Sequence, residues 1–472
     1  MDVRKGLSFL LLALSFSALS RVTHAQQGTE TPVPPPPDAA PQPSQSPAQS
    51  AVPTIAAPVP FTLPTSAATS LPATPANPGA LAGEPTTHPN TPPASPGHRL
   101  TPETELPRET AVETALDRNR SASGSAFGGY GELTLNAPSN GPAIVDLRRF
   151  VLFFGHDFNE HIRLYTEIEV EHAVSSSSDQ GEVEVEQAYL DGLLDRRLNI
   201  RGGLVLIPAG LINTYHEPPS FNGVDRPDVD QFVIPTTWRE PGVGAFGELA
   251  EGLRYQIYLV NGLNANGFSA ESAIGDGRQE AQLAHAADAG GVARLDYEPV
   301  LGTVFGATGY GATSGNSLTG RVGHVPVTLA EVDARTRVGG FTARAEAAVL
   351  FIGSAADLSR ALASGTEEQQ AAGPVSSRSL GGYVEAAYNV LYPLANDSDQ
   401  SLTAFARYDY ADTQAHVPAG FTPQRQFRRY SGVFGLVWRP IPQIAIKADY
   451  RRREFGAGSG YNEWAAAITW LF

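Results

Sequence analysis

The chain has no cysteine, one methionine and only two lysines, Lys5 and Lys447. Without cysteine there can be no disulfides, thiol nucleophiles or thiolate-held metals. Beyond a short apolar stretch near the start, nothing approaches the roughly 18 uninterrupted apolar residues that a membrane-spanning helix needs. Positive charge is also scarce: 33 Lys and Arg against 49 Asp and Glu give a net charge of -16, which argues against a nucleic-acid partner. Mean hydropathy is close to neutral at -0.17. A helical membrane protein would be far greasier, whereas a barrel with one polar face has this balance.

Three regions follow from composition. Residues 1–25 read as a secretory leader: Arg4 and Lys5 precede an apolar run from Leu7 to Leu19, and Thr23-His24-Ala25 offers a small-residue cleavage site. Residues 26–124 are dense in Pro, Ala, Ser and Thr, with runs such as Pro34-Pro35-Pro36-Pro37. Such a stretch cannot bury enough apolar surface to offset the entropy of ordering, so it is expected to be disordered, with one short helix between Glu109 and Arg120. Residues 125–472 form the folded unit.

Strict alternation marks that unit. In Ile162 to Glu171, the residues Ile162, Leu164, Thr166, Ile168 and Val170 share one face, and Arg163, Tyr165, Glu167, Glu169 and Glu171 share the other. A period of two is a strand with an apolar and a polar side. The pattern recurs in Leu253 to Leu259, Phe341 to Val349, Leu402 to Tyr410 and Ile444 to Arg451, and ends with Trp464, Ala466, Ile468, Trp470 and Phe472 on one face. Around Val183 to Leu190 the register shifts within the run, which predicts a bulge. About sixteen strands emerge between turn residues. So large a set of long strands exceeds an ordinary sandwich, and no blade repeat supports a propeller. The fold expected is all-β: a transmembrane antiparallel barrel, apolar outside and polar inside, in the bacterial outer membrane.

Connections alternate between short (Ala250-Glu251-Gly252, Glu298 to Gly302, Arg439 to Gln443) and long (Ile207 to Gly242, Gly262 to Ala287, Gly353 to Ser377, Ala411 to Phe427). The long third loop, between the fifth and sixth strands, is far beyond usual connection length and rich in Pro and aromatics. It is expected to fold inward and narrow the lumen, with Asp225, Arg226, Asp228, Asp230, Trp238, Arg239 and Glu240 forming the constriction. The strand positions expected to line the lumen are Arg163, Glu167, Glu169, Glu171, Arg201, Arg344, Glu346, Arg407, Asp409, Lys447 and Arg451, standing in water and biasing what passes. Tyr130, Tyr297, Tyr310, Tyr392, Trp438, Tyr450, Trp464 and Trp470 lie near strand ends, as interfacial girdles would. Arg425, Arg428 and Arg429, with Arg451, Arg452 and Arg453, are expected at the outer rim, either attracting anions such as lipopolysaccharide phosphates or an incoming substrate, or standing as a solvated loop rim.

No arrangement for covalent chemistry emerges. His172 precedes Ser175 to Ser178, but nothing there builds a nucleophile elbow. His156 and His161 flank a turn at a spacing that favours no metal. Gly128-Gly129-Tyr130-Gly131 opens a strand and not a helix, so it is not a nucleotide loop. The chain is therefore not expected to be an enzyme, and neither metal nor cofactor is expected.

Gly128-Gly129-Tyr130-Gly131-Glu132-Leu133, Arg148-Arg149-Phe150, Glu186-Gln187-Ala188-Tyr189-Leu190, Pro235-Thr236-Thr237-Trp238-Arg239-Glu240, Gly244-Ala245-Phe246-Gly247 and the terminal Phe472 resemble, in this order, the phosphate-selective porin O and P family. The resemblance covers about Ser125 to Phe472. It implies a sixteen-stranded homotrimeric channel in outer-membrane lipid, with a loop folded into the pore. It does not extend to the lysine-rich phosphate site, since Lys447 alone remains after the leader. The function expected is passive diffusion of ions and small hydrophilic solutes. The alternative is a structural or adhesive barrel with a plugged lumen and a Pro-rich periplasmic tether.

Overall fold

The computed structural model describes residues 124–173, 181–315, 318, 321–394 and 399–472. The expected leader, the Pro-rich segment with the helix expected at its end, and Ser175 to Ser178 lie outside the described residues. Sixteen strands follow one another: β1 (Ser125–Pro138), β2 (Ile144–Asp157), β3 (Ile162–Glu171), β4 (Val183–Leu193), β5 (Asn199–Leu206), β6 (Arg239–Ala250), β7 (Leu253–Asn261), β8 (Ala289–Val300), β9 (Thr303–Thr313), β10 (Pro326–Val338), β11 (Phe341–Ile352), β12 (Arg378–Asn389), β13 (Ser401–His416), β14 (Arg428–Ile441), β15 (Ile444–Phe455) and β16 (Gly460–Leu471). Each pairs antiparallel with its chain neighbours, and β1 pairs with β16, so the sheet closes into a barrel without edges.

The last residue extends that closure: the Phe472 amide donates to the Gly129 carbonyl at 2.8 Å, and the Gly129 amide donates to the Phe472 carbonyl at 2.9 Å. The glycines of the opening motif allow this approach. A Cβ on Gly128 would lie 2.4 Å from the Phe472 carbonyl oxygen.

Alternation places hydrocarbon outside. Ile257, Leu259, Val332, Leu436, Trp464 and Ile468 all project from the barrel with about half or more of their surface exposed, Leu259 reaching 70%. Apolar exposure on this scale, carried around a closed sheet, belongs against lipid. Phe434, Tyr450 and Trp464, neighbours in register on β14, β15 and β16, stack side by side, with ring centroids 5.1 and 5.0 Å apart. Tyr130 and Tyr310 depart from the expected girdles: both are buried on the inward face, Tyr130 against His216 and Tyr310 against Trp238.

The bulge expected near Val183 to Leu190 is present. Glu167 faces Gln187 while Ile168 faces Val185, which leaves Glu186 as the extra residue. A second bulge follows Glu132: Arg149 is its partner, Leu133 pairs with Leu147, and Arg148 is extra. Consecutive residues on a regular strand point to opposite faces, so these bulges bring Glu186 beside Gln187, and Arg148 beside Arg149, onto one side.

Loop bounds differ from those expected. The long third loop is 207–238, because Arg239 to Gly242 already belong to β6, and Ala411 to His416 extend β13. Connections 139–143 and 456–459, on the same side as the long loops, are short, and 390–400 on the opposite side is longer than its neighbours.

Candidate functional site

Segment 207–238 contains two single-turn helices, α1 (Leu211–Thr214) and α2 (Val229–Phe232). Prolines and short helices leave its backbone groups without ladder partners, so inward side chains of the barrel satisfy them. Lys447 on β15 donates to the carbonyls of Pro218 at 2.6 Å and Gly223 at 2.9 Å. Arg344 on β11 donates to Ser220 O at 2.8 Å, and Thr308 on β9 to Pro208 O at 2.8 Å. Carboxylates take the amides: Glu346 accepts from Leu211 N at 3.0 Å and Asp449 from Val224 N at 2.7 Å.

The segment's own charges are paired with the wall. Asp225 lies 2.9 Å from Arg148 on β2 and 3.1 Å from Arg451 on β15. Burial alone would raise its carboxyl, but Arg451 and Arg148 outweigh that and hold it down at about 2. Asp228 meets Arg453 at 2.5 Å and Ser431 at 2.8 Å. Asp230 differs: neither carboxylate oxygen has a hydrogen-bond donor, and burial, reinforced by Glu331, pushes it up to about 8. Burial lowers Arg226 to about 10, and its guanidinium donates to Thr237 Oγ1 at 3.1 Å.

The structure alters the expected picture of the inward face. Glu167, Glu169, Glu346, Arg407, Asp409, Lys447 and Arg451 point inward but are buried and not bathed in water. The segment contacts Glu167, Glu346, Arg407, Lys447 and Arg451, and buried polar groups are tolerated where they find partners. Arg407 is bound to Asp409 at 3.0 Å and also donates to Asp225 O at 3.3 Å. Arg163, Glu171, Arg201 and Arg344 stay partly exposed; Arg163 pairs with Asp157 at 2.9 Å, and Arg201 grips Asp191 through two bonds of 2.8 and 2.9 Å. Of the expected rim arginines, Arg429, Arg451 and Arg453 are buried, the last two against Asp225 and Asp228.

Three residues expected in the constriction do other work. Trp238 is buried against Tyr310 at a ring separation of 4.6 Å. Arg239 and Glu240 begin β6 and fasten the next loop, 262–288. The Arg239 guanidinium bonds Glu184 and lies 3.5 Å from Glu280, while Glu240 accepts the amides of Gln279 at 3.0 Å and Glu280 at 3.2 Å.

Several participants escaped sequence reasoning. Arg148 and Glu186 needed the bulges, although two adjacent arginines were a visible break in alternation. Glu186, Glu167 and His216 converge where β3, β4 and the segment meet; loop position alone hid His216. His172 bonds Asp146 at 2.8 Å and is largely exposed.

A closed sixteen-stranded barrel, hydrocarbon outside and charged inside, is a protein of the bacterial outer membrane with the fold of the porins. By sequence the chain belongs to one family with an uncharacterized protein of Aquifex aeolicus (strain VF5), to which it is 34% identical over 354 residues, 74% of this chain and 80% of that protein. No family model matches the chain. Among solved structures, Salmonella typhi OmpF, in complex with daunomycin, is similar with a TM-score of 0.51 and 13% identity, over 75% of this chain and 99% of that one. The outer membrane channel DcaP of Acinetobacter baumannii gives 0.48 and 12%, over 75% and 99%.

Proposed function

We propose that the protein is a diffusion porin, through which ions and small hydrophilic solutes cross the outer membrane passively, with segment 207–238 as a fixed constriction. The observation that carries this reading is the fastening of that segment to inward side chains from β2 round to β15, through Arg148, Thr308, Arg344, Arg407, Lys447 and Arg451. A loop held at so many points leaves a passage of defined shape beside it. Asp225, with Arg148 at its side, and the partly exposed Arg163, Glu171, Arg201 and Arg344 are its charged lining. Asp228, bonded to Arg453 and Ser431, adds a further point of attachment.

The resemblance to the phosphate-selective porin O and P family supports a channel and a homotrimer in lipid and lipopolysaccharide, following export by the leader. It does not support phosphate selectivity, because the one lysine of the barrel is committed to the carbonyls of Pro218 and Gly223. In planar bilayers the purified protein should give stepwise ion conductance, rising when 207–238 is replaced by a short glycine linker. A sealed bilayer at saturating protein refutes the proposal.

The depth of burial of Glu167, Asp409 and Lys447, each at or below 1% exposed, favours a second reading: a plugged structural or adhesive barrel. In that case the intact protein is silent and only the loop-replaced protein conducts.

A further inference from the structure

We infer that Glu167 on β3, Glu186 on β4 and His216 on segment 207–238 form a binding site for a first-row divalent transition metal of the zinc class. Among the described residues they are the one group whose carboxylate and imidazole atoms gather within 4.8 Å of one another. All three are buried: Glu167 and Glu186 at 0% and His216 at 2% exposed.

The geometry shows what the cluster lacks. His216 Nε2 lies 3.8 Å from Glu167 Oε1 and 3.6 Å from Glu186 Oε1, beyond hydrogen-bond distance, and both ring nitrogens and both of those oxygens have no hydrogen-bond partner. A buried imidazole whose Nδ1 has no partner, and whose Nε2 meets its two carboxylates only beyond hydrogen-bond distance, is costly. An ion about 2.1 Å from nitrogen and oxygen, at an angle near 120°, spaces its ligands by about 3.6 Å, close to the separations found.

The outer oxygens are already held. Glu167 Oε2 accepts from Tyr165 at 3.1 Å and from Gln187 at 2.5 Å, and Glu186 Oε2 accepts from Tyr130 at 3.3 Å. Each carboxylate is thus oriented by neighbours with its free oxygen aimed at His216, as metal ligands are by their surrounding hydrogen bonds. The β4 bulge is what turns Glu186 inward beside Gln187. The imidazole favours zinc-class ions over magnesium or calcium. Because the ligands come from wall and loop, the ion would pin the segment to β3 and β4. A plugged barrel would hold it equally, so the site does not depend on the diffusion proposal.

The test uses tag-free protein extracted from membranes in detergent, stripped with chelator and titrated with Zn²⁺, with Mg²⁺ as comparator, reading bound metal by mass spectrometry after desalting. The wild type should keep one zinc per chain. His216→Ala and Glu186→Gln should bind it more weakly by about tenfold or more, while His172→Ala, on an exposed histidine, should bind as the wild type. Folding of each variant is read from heat-modifiable gel mobility. If the histidine variant does not fold, X-ray absorption of the zinc-loaded wild type decides: one imidazole with carboxylate oxygens near 2.0–2.2 Å supports the site. Substoichiometric zinc in the wild type, undiminished binding in Glu186→Gln, or equal retention of Mg²⁺ overturns it.

Discussion

If ions pass beside Asp225, removing its charge has a calculable effect. The carboxylate sits between Arg148 at 2.9 Å and Arg451 at 3.1 Å, with its side chain 17% exposed. Asp225→Asn preserves the shape and makes the local fixed charge more positive by one unit. At about 5 Å in a water-like medium, one unit charge changes an ion's energy by about 0.8 kcal/mol, roughly a factor of 4 in occupancy. Cations and anions respond oppositely, so the anion-to-cation permeability ratio should rise by about 15-fold at low salt. At about 1 M salt the Debye length falls to about 3 Å and the effect should nearly vanish. The assay is the reversal potential across a KCl gradient, in dilute and in concentrated salt. Because Asp225 is held down at about 2, lowering the pH from 7 to 4 should not mimic the substitution through this residue. A reversal potential unchanged by Asp225→Asn in dilute salt, with the protein folded, refutes the reasoning.

Other outcomes can be checked on the folded barrel. Asp230 is neutral in the fold up to about pH 8, whereas unfolding releases its proton from about pH 4 upward, so this group loses stability progressively between those values; Asp230→Asn should remove that loss and raise the denaturant midpoint at pH 7.4 relative to the wild type. Gly128→Val places side-chain atoms against the Phe472 carbonyl and the Phe153 ring, and should abolish the heat-modifiable folded band. Val332, at the centre of β10 and 58% exposed, faces the middle of the bilayer; Val332→Arg should cost about 2–4 kcal/mol in urea unfolding from liposomes. Arg453→Ala leaves Asp228 buried without its 2.5 Å partner and should expose segment 207–238 to protease while the barrel stays folded.

What the residues determined by themselves was the barrel. Alternation is a local property: Ile168 and Glu169 point apart whatever surrounds them, so strand number, the hydrocarbon exterior and even the β4 bulge were legible along the chain. Only the tertiary structure decided the interior. A polar strand face looks alike whether water or a loop lies against it, and so Glu167, Arg407 and Lys447 read as solvated, whereas groups of segment 207–238 lie against them. Arg148, Glu186 and His216 show the same limit. Two stand on bulges whose extra residue changes sides, and the third lies in a loop whose path is set by where its carbonyls and carboxylates find partners across the barrel. Such pairings join residues up to 229 positions apart, as Lys447 and Pro218 do, and no periodicity encodes them.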